Sequence, residues 1–436
     1  MKRKLISIIA LTLVMAMTLT ACGTKGPEAT NTKVEDKTVT INIMSTLVTE
    51  QEGTFEKEMA DKYMKDHTNV KINLIGVPVN EISKKIIALN TSGDLPDAFF
   101  LPSEFMATAD KMGLIEDNKE LVGKEFLDSL QPGIAEGGTI NGHMVLVPWH
   151  VIPVGLIYRS DWAQEAGIDK IETWADFQKA AKAFTKDTNN DGKVDRWGFS
   201  MVGTRNGSGE SRFMSMARTF GVNEGYKDNS GKWVSDLTSD NFKRALTLFT
   251  DFALKDGVVP PGATETGYPE ASAFFAQEKT GLMITGANAI GAIENANPKL
   301  KGKLKSVPIP KDTKNITNLQ VSGYAITKSS KNKEIVADYL KSMSNKDFSI
   351  PFGQQFGRLP VTKEALSNEA FKTPTFQGFI DSAQYAAPPS AFGGTTELFD
   401  IAGEAYNTMI SKKISIDDAM KVVTERTNKI LNDNNK

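Results

Sequence analysis

The sequence of 436 residues has little of what many enzymes and nucleic-acid-binding proteins need. It has one cysteine, which excludes a disulfide framework and a zinc site built on several thiolates. Three histidines leave few general bases for a hydrolase. Lys and Arg number 51 against 53 Asp and Glu, so there is no basic surface to hold a nucleic acid. What remains is a large, mildly acidic chain, long enough for two or three domains at roughly 100–200 residues each.

Long apolar runs are also absent, except at the extreme N-terminus. Lys2, Arg3 and Lys4 precede an apolar stretch over 5–20, which is rather short for a membrane-spanning helix of about 20 residues. This pattern predicts a secretory signal over 1–21, and an uncleaved anchor helix is the alternative. The only cysteine, Cys22, stands where the apolar run ends.

The letters LTACG at 19–23 resemble the lipobox of bacterial lipoproteins. That resemblance implies that Cys22 is lipidated and becomes the first residue of the mature chain. More than one acyl chain makes an anchor that does not readily dissociate. Residues 22–37 are mostly Gly, Pro, Thr and charged residues, and we interpret them as a flexible tether.

The body of the chain alternates between strand and helix patterns. Strands are predicted at 38–44, 70–75 and 98–101, with helices at 52–66 and 80–89 between them. Such a series implies a parallel sheet covered by helices on both faces. In these sheets ligands bind beyond the carboxyl ends of the strands, which directs attention to the segments that follow each strand.

Later segments continue the alternation. A capping-box-like start at Thr173 opens a predicted helix, and the last hundred residues are almost entirely helical in pattern. Further segments are predicted to be extended at 140–147, 154–158, 197–201, 281–285, 305–309 and 321–327, and helical at 241–254 and 331–343.

Several short blocks occur in the order of a known family. They read SGDLPD at 92–97, LIY at 156–158, TWADF at 173–177, FAQEKTGLM at 275–283, and GYAI at 323–326 with SKNKE at 330–334. In this order the chain resembles the family 1 extracellular solute-binding proteins of ABC importers, the group that contains maltose-binding protein. The resemblance runs along nearly the whole mature chain.

The resemblance implies an α/β, two-lobed periplasmic-binding-protein-like fold of type II, with a ligand cleft between the lobes and a helical C-terminal tail. Lobe one would hold 37–151 and 321–363, and lobe two 152–320 and 364–436. The implied function is capture of a carbohydrate, an oligosaccharide, by hinge closure. The protein would be a monomer, lipid-anchored at the outer face of the cell membrane, that docks on ABC permease subunits and catalyses no reaction.

Candidate ligand contacts are polar or aromatic residues at strand ends and at the first crossing between lobes. Trp149 is expected to form a wall of the cleft, with a core indole as the alternative, and His150 is either a ligand donor or a hinge residue. Asn288 and Phe392 stand where the family often has a tryptophan, which argues against an ordinary malto-oligosaccharide. The full candidate set is Thr46, Ser103, Glu104, Trp149, His150, Arg205, Asn206, Glu210, Arg212, Asn288 and Phe392.

One segment resembles a calcium loop. Residues 187–195 carry oxygen side chains at spacings 1, 3, 5 and 9 and a glycine at 6, but Gly198 stands where the bidentate Glu belongs. The candidate metal set, for a structural Ca²⁺, is Asp187, Asn189, Asp191, Lys193 and Asp195. The alternative is an Asx-rich turn. No other cofactor is expected.

Three rival functions stay open on the sequence. The same fold could bind a non-sugar or acidic solute, because stacking aromatics are scarce at the expected cleft. A secreted carbohydrate-active enzyme is a second rival, although no nucleophile-elbow, zinc-protease or P-loop motif occurs. A sensor lipoprotein that presents its ligand to a membrane kinase is the third.

Overall fold

The computed structural model describes residues 38–49, 52–79, 81–390 and 392–436. Signal, tether and lipidation predictions at 1–37, Cys22 included, lie outside these ranges. The strands are β1 Val39–Ser45, β2 Val70–Gly76, β3 Ala98–Phe100, β4 Thr139–Ile140, β5 His143–Met144, β6 Val147–Pro153, β7 Gly155–Arg159, β8 Trp197–Phe199, β9 Tyr226–Lys227, β10 Trp233–Val234, β11 Thr280–Thr285, β12 Leu304–Pro308, β13 Thr317–Ile326, β14 Leu359–Pro360 and β15 Ala386–Ala387.

Helices surround the strands and fill the C-terminal part. They are α1 Gly53–Asp66, α2 Ile82–Ser92, α3 Met106–Lys111, α4 Asn118–Ser129, α5 Ile134–Gly137, α6 Ser160–Glu165, α7 Trp174–Phe184, α8 Gly207–Thr219, α9 Asp240–Leu254, α10 Tyr268–Ala276, α11 Asn288–Ala296, α12 Lys333–Ser342, α13 Lys346–Phe356, α14 Lys363–Leu366, α15 Gln377–Ala383, α16 Thr395–Lys412 and α17 Ile416–Asn434. Short 3₁₀ helices lie at Leu47–Thr49, Ser103–Phe105, Asp236–Thr238, Ala263–Glu265, Pro298–Leu300 and Glu369–Phe371.

The first sheet has the order β14-β6-β13-β3-β1-β2, with β15 paired to β13. Strands β1, β2 and β3 are parallel, as the alternating strand and helix pattern predicts. Strand β13 is antiparallel to β3, and β6 is antiparallel to β13. Strand β6 therefore runs in the direction of β1–β3 and leaves the sheet at their carboxyl ends.

The second sheet has the order β12-β7-β11-β8 and begins one residue after β6 ends. The first residue of β7, Gly155, pairs with Thr285 and with Pro308, the last residues of β11 and β12. Strand β8 is parallel to β11 and ends at the same side. Both sheets thus turn the carboxyl ends of their parallel strands toward one crossing segment, which is where ligands bind in α/β folds.

Two hydrophobic clusters form the core. The first includes Phe99, Ile326 and Phe352, and the second includes Phe177 and Phe213. Leu156 and Ile157 are neighbours on β7 but belong to different clusters, since successive strand residues face opposite sides of a sheet. The first cluster therefore reaches from the first sheet onto one face of the second. The lobe boundaries stay a prediction.

Local sequence explains both a success and an error. Thr173 caps α7 in a capping box with Asp176, as expected. The single extended segment predicted at 140–147 is wrong, because β4 and β5 form a hairpin around Asn141 (φ 51°) and Gly142 (φ 86°). An Asn-Gly pair favours the type I′ turn, in which both central residues have positive φ.

No helix within the described ranges combines the length and apolar character that a membrane crossing requires.

Candidate functional site

The candidate site lies where the strand ends of both sheets face the crossing segment. Thr46 directly follows β1 and is buried, and Ser103 follows β3 and is exposed at the start of a 3₁₀ helix. Both therefore lie at the carboxyl edge of the first sheet, and their contact with a ligand stays a prediction. The side chain of Glu104 lies outside the described part of the chain.

Trp149 is a core residue, which corrects the expectation that its indole forms a wall of the cleft. Only 1% of it is exposed. Its ring stacks on Phe352 with centroids 4.7 Å apart, and its Nε1–H donates to the carbonyl of Met343 at 3.1 Å. Packing against α13 and the end of α12 thus occupies the indole, so it offers no face to a sugar.

His150 lies beside Trp149 and is 1% exposed. Its Nε2 is 3.4 Å from Arg358 Nη1, and within the described residues its Nδ1 has no hydrogen-bond partner. Burial, and then the charge of Arg358, lower the pKa of His150 well below its ordinary value. A neutral ring that accepts from Arg358 at Nε2 carries its proton on Nδ1 and is a hydrogen-bond donor there.

Arg358 is part of this site, since it contacts both His150 and Glu52. Its Nε and Nη2 donate to Glu52 Oε1 at 2.9 and 2.7 Å. The preceding Gly357 has φ +64°, and a Cβ there would lie 2.2 Å from the carbonyl oxygen of Ala287. Glycine therefore allows the end of α13 to approach the start of α11.

Arg212 is fixed by the end of β11. Its Nε donates to the carbonyl of Ile284 at 2.9 Å, its Nη1 to the carbonyl and hydroxyl of Ser208 at 2.8 and 2.7 Å, and its Nη2 to Thr285 Oγ1 at 3.4 Å. Burial lowers the pKa of Arg212 to about 10, so the side chain stays charged at neutral pH.

Tyr268 and Asn288 complete this group at the second sheet. The Arg212 guanidinium lies 4.8 Å from the centre of the Tyr268 ring, a cation–π contact. Asn288 Nδ2 donates to the Tyr268 hydroxyl at 3.2 Å. From the crossing strand β13, Asn318 donates to the carbonyl of Ser211 at 2.8 Å, and its buried Oδ1 has no partner among the described residues.

Asn206 and Arg205 are engaged with the protein itself. Asn206 caps α8, because its side chain accepts from the N–H groups of Ser208 and Gly209. Arg205 is ion-paired at 2.8 Å with Asp400 and at 2.9 Å with Glu404 on α16. The ion pairs give Arg205 a role in joining the start of α8 to α16, and contact of either residue with a ligand stays a prediction.

Glu210 lies in the same α8–α16 contact and is 7% exposed. A Cβ on Gly403 of α16 would lie 2.7 Å from its Cγ, so the glycine provides room for the carboxyl side chain. Burial, followed by repulsion from Asp400, raises the pKa of Glu210 to about 7, and Arg205 opposes the shift. The group is therefore a buried titratable acid.

Phe392 is also a core residue and not the stacking surface that its position in the sequence indicated. It is 3% exposed, and its ring centre is 4.7 Å from that of Trp233. The preceding segment is held by a buried ion pair between Arg218 and Glu224, which contacts the backbone at Ala387, Pro388 and Ser390. This segment is therefore fixed to the second core cluster.

The predicted calcium loop is an Asx-rich turn in this structure. Asp187 accepts from the N–H groups of Asp191 and Gly192, and Asp195 accepts from Thr188. Across the described ranges, no group of three or more His, Cys, Asp and Glu side chains is arranged to hold a metal ion. The candidate metal set, including Asn189 and Lys193, is therefore not brought together as a site of that kind.

A buried carboxyl group supports the loop after β1. Glu56 accepts from Ser45 Oγ at 2.6 Å and from the Tyr324 hydroxyl. Burial raises the pKa of Glu56, and the two hydrogen bonds oppose this. The network ties β1, α1 and β13 together directly beneath Thr46.

Sequence reasoning missed five residues of the site: Glu52, Tyr268, Thr285, Asn318 and Arg358. Tyr268 and Asn318 reach Arg212 and its neighbour only through the packing of α10 and β13 against α8, and no local pattern records that packing. Among these residues, Asn318 is the one that the sequence could have indicated, since a polar residue between predicted strands is typical of a crossing segment.

Comparison with known proteins agrees with this architecture. Residues 48–347, more than half of the chain, match the model of the bacterial extracellular solute-binding protein family. A multiple sugar-binding protein of Streptococcus mutans is 25% identical over 350 residues, which cover 77% of each protein.

Solved structures show the fold. An ABC transporter solute-binding protein of Thermotoga lettingae, bound with α-D-tagatose, has a TM-score of 0.77 at 20% identity, covering 91% of this chain and 100% of that one. An ABC substrate-binding protein of Listeria monocytogenes, in complex with cycloalternan, has a TM-score of 0.74 at 20% identity, covering 91% and 99%. The two-lobed, type II α/β fold is therefore confirmed, and the chain belongs to the bacterial extracellular solute-binding protein family.

Proposed function

We propose that the protein captures a carbohydrate, an oligosaccharide, in the cleft between its two sheets and delivers it to an ABC importer. The observation that carries the proposal is the polar group at the crossing segment, where His150 contacts Arg358 and the adjoining Gly357 lies against the backbone of Ala287 and Asn288. Hydrogen-bonding side chains of this kind suit the hydroxyl groups of a sugar. Sugars bound by the S. mutans and T. lettingae relatives support the ligand class.

Capture works by closure of the two lobes on the ligand. A ligand shifts a conformational equilibrium only by its difference in affinity for the two states. A sugar that contacts both sheets makes its full set of hydrogen bonds only when the lobes are closed. Binding and closure are then one event, and the closed form is what the permease subunits recognise.

The protein acts from a lipid anchor at the outer face of the membrane. The support is the lipobox at 19–23 with the only cysteine at its cleavage point. The tether over 22–37 lets the folded body reach the permease while it stays attached. Docking on ABC permease subunits, as a monomer, completes the proposal, and no reaction is catalysed.

Hydrogen bonding, rather than stacking, dominates recognition in this cleft. Trp149 and Phe392 are packed into the core, and the ring of Tyr268 is already covered on one side by Arg212. This favours a ligand with charged groups over an ordinary malto-oligosaccharide, which aromatic faces usually hold.

A thermal-shift screen against neutral and acidic oligosaccharides tests the proposal. A ligand at 100 times its dissociation constant adds about 2.7 kcal/mol of stability. That corresponds to a rise of several degrees at about 2–4 °C per kcal/mol for a large chain, or less. A protein stabilised by no carbohydrate would contradict the proposal, and release of reducing ends from a polymer would favour the enzyme instead.

A further inference from the structure

Arg212 differs from the other described arginines in its lack of an ion-pair partner among the described carboxylates. The sequence has nine, of which Arg3 lies outside the described residues. Seven of the others pair with a described Asp or Glu carboxylate: Arg159, Arg196, Arg205, Arg218, Arg244, Arg358 and Arg426. Arg212 forms no ion pair with any carboxylate whose position the structure gives.

Its neighbours orient Arg212 without neutralising it. Carbonyl and hydroxyl oxygens of Ser208, Ile284 and Thr285 accept from the guanidinium, but each of them is uncharged. A desolvated cation without a counter-charge is unfavourable, and removing the charge by deprotonation does not occur near neutral pH. An arriving anion would therefore gain the full attraction of a fixed, partly desolvated charge.

Arg212 is partly exposed and lies in the crossing region. It contacts the carboxyl end of β11, and its neighbour Ser211 is hydrogen-bonded to Asn318 of the crossing strand β13. Ala287 lies two residues after Thr285, and its carbonyl oxygen packs closely against Gly357, the neighbour of Arg358. The guanidinium therefore belongs to the same crossing region as the rest of the candidate site.

We infer that Arg212 binds a carboxylate of the transported solute, so that the ligand is an acidic carbohydrate such as a uronic acid oligosaccharide. Its fixed positive charge attracts a carboxylate, and one N–H of Nη2 is left to donate after the bonds to Ser208, Ile284 and Thr285. A carboxylate is favoured over a phosphate because Arg358, the other arginine of this region, is already paired with Glu52. The inference rests on the proposed function and specifies its substrate class.

The test compares acidic with neutral oligosaccharides of the same linkage by isothermal titration calorimetry. Trigalacturonate and galactotriose are one such pair, and oligomers of glucuronate and mannuronate extend the panel. We expect the wild-type protein to bind at least one uronate oligomer at least tenfold more tightly than its neutral counterpart. In the Arg212→Gln variant that preference should fall to less than threefold.

Two further variants keep the result interpretable. Arg244→Gln removes one exposed arginine, which is paired with Asp312, and should keep the full preference. Arg212→Lys retains the charge without the planar fork and should give an intermediate preference. Melting curves of each variant show whether the protein is folded, and a folded Arg212→Lys variant suffices if Arg212→Gln does not fold.

The outcomes separate the inference from the proposed function. Neutral oligosaccharides that bind as tightly as uronates, to wild type and Arg212→Gln alike, would overturn the inference and leave carbohydrate binding standing. Binding of a non-sugar carboxylate such as citrate, dependent on Arg212 and without any sugar binding, would overturn the proposed function. Failure of every carbohydrate and every carboxylate would overturn both.

Discussion

At the scale of single residues, the raised pKa of Glu210 makes the stability of the fold depend on pH. Its pKa is raised to about 7 from an ordinary value of 4.5, chiefly by burial. Between these two values the unfolded chain has lost the proton and the folded chain still holds it. Glu210 therefore destabilises the fold fully above pH 7, and the penalty disappears as the pH falls toward 4.5.

Removing this charge should stabilise the protein in a pH-dependent way. We expect Glu210→Gln to raise the free energy of unfolding at pH 8 by about 1–3 kcal/mol, at roughly 1.4 kcal/mol per unit of pKa shift and less for partial solvation. At pH 4 the variant and the wild type should be equal. Urea unfolding at both pH values measures this, with the exposed Glu397→Gln as the control, and a difference that is the same at both would contradict the assignment.

Trp149 should behave as a core residue in mutagenesis. Trp149→Ala should lower the free energy of unfolding by about 3–5 kcal/mol, because it empties a packed site against Phe352. Trp149→Phe keeps a ring but loses the bond to the Met343 carbonyl, so its cost should be smaller, about 1–3 kcal/mol. Equal urea midpoints for wild type and the alanine variant would contradict a core role.

The place of a residue in the fold could be predicted from the sequence only where its position relative to the strands determined that place. Arg212 and Asn288 were expected at the carboxyl ends of the second sheet because both follow strands of that sheet, and they lie at the end of β11; their contact with a ligand stays a prediction. Trp149 and Phe392 were misassigned because an aromatic ring serves a core and a binding wall equally well. Which surface covers the ring depends on α12, α13 and Trp233, which are distant in sequence.

At the scale of elements, the contact between α8 and α16 positions the α8 residues near the cleft. A Cβ on Gly209 would lie 2.2 Å from the carbonyl oxygen of Thr204 and 2.7 Å from the Tyr406 hydroxyl. These two oxygens are themselves hydrogen-bonded at 2.8 Å. Close backbone approach at this point therefore requires glycine.

A pair of glycine substitutions in the first turn of α8 tests that contact. Gly209→Ala should destabilise the protein by about 1–3 kcal/mol, since the added methyl group meets backbone. Gly207→Ala meets nothing within 4 Å and should be neutral or stabilising by about 0.4–1 kcal/mol. Melting temperatures that fall equally for both variants would show that the α8–α16 approach is not the cause.

Elements with clear periodicity were predicted within a few residues, and the crossing strands were not. Strands β1 and β2 and helix α9 match their apolar patterns closely. Strand β13 begins four residues before its predicted start at 321, because Thr317 and Asn318 are polar and use their side chains for hydrogen bonds across the crossing. A strand at the crossing between lobes packs against both of them, so its residues do not alternate between a buried and an exposed face.

At the scale of the whole molecule, anchoring and folding should be separable. We expect Cys22→Ala to abolish acyl labelling and release the protein from membranes, because the proposed attachment is a lipid on this cysteine. The melting temperature should not change, since Thr38–Lys436 forms a compact unit by itself. Membrane fractionation with a labelled fatty acid measures this, and lipid label retained by the variant would refute the assignment.

A ligand captured between the lobes should change solvent access at the strand ends of both sheets. Strand ends of the first sheet contribute the segments after β1 and β3, and those of the second contribute the segments after β8 and β11. A solute held between the sheets must reduce solvent access to both groups at once. A solute bound to one surface groove would affect a single group.

Hydrogen–deuterium exchange with and without the tightest-binding oligosaccharide tests this directly. We expect slower exchange at 45–49 or 103–106 from the first sheet and, in the same complex, at 200–212 or 285–290 from the second. Protection confined to one sheet, or located away from the crossing segment, would contradict capture of the ligand between the two lobes.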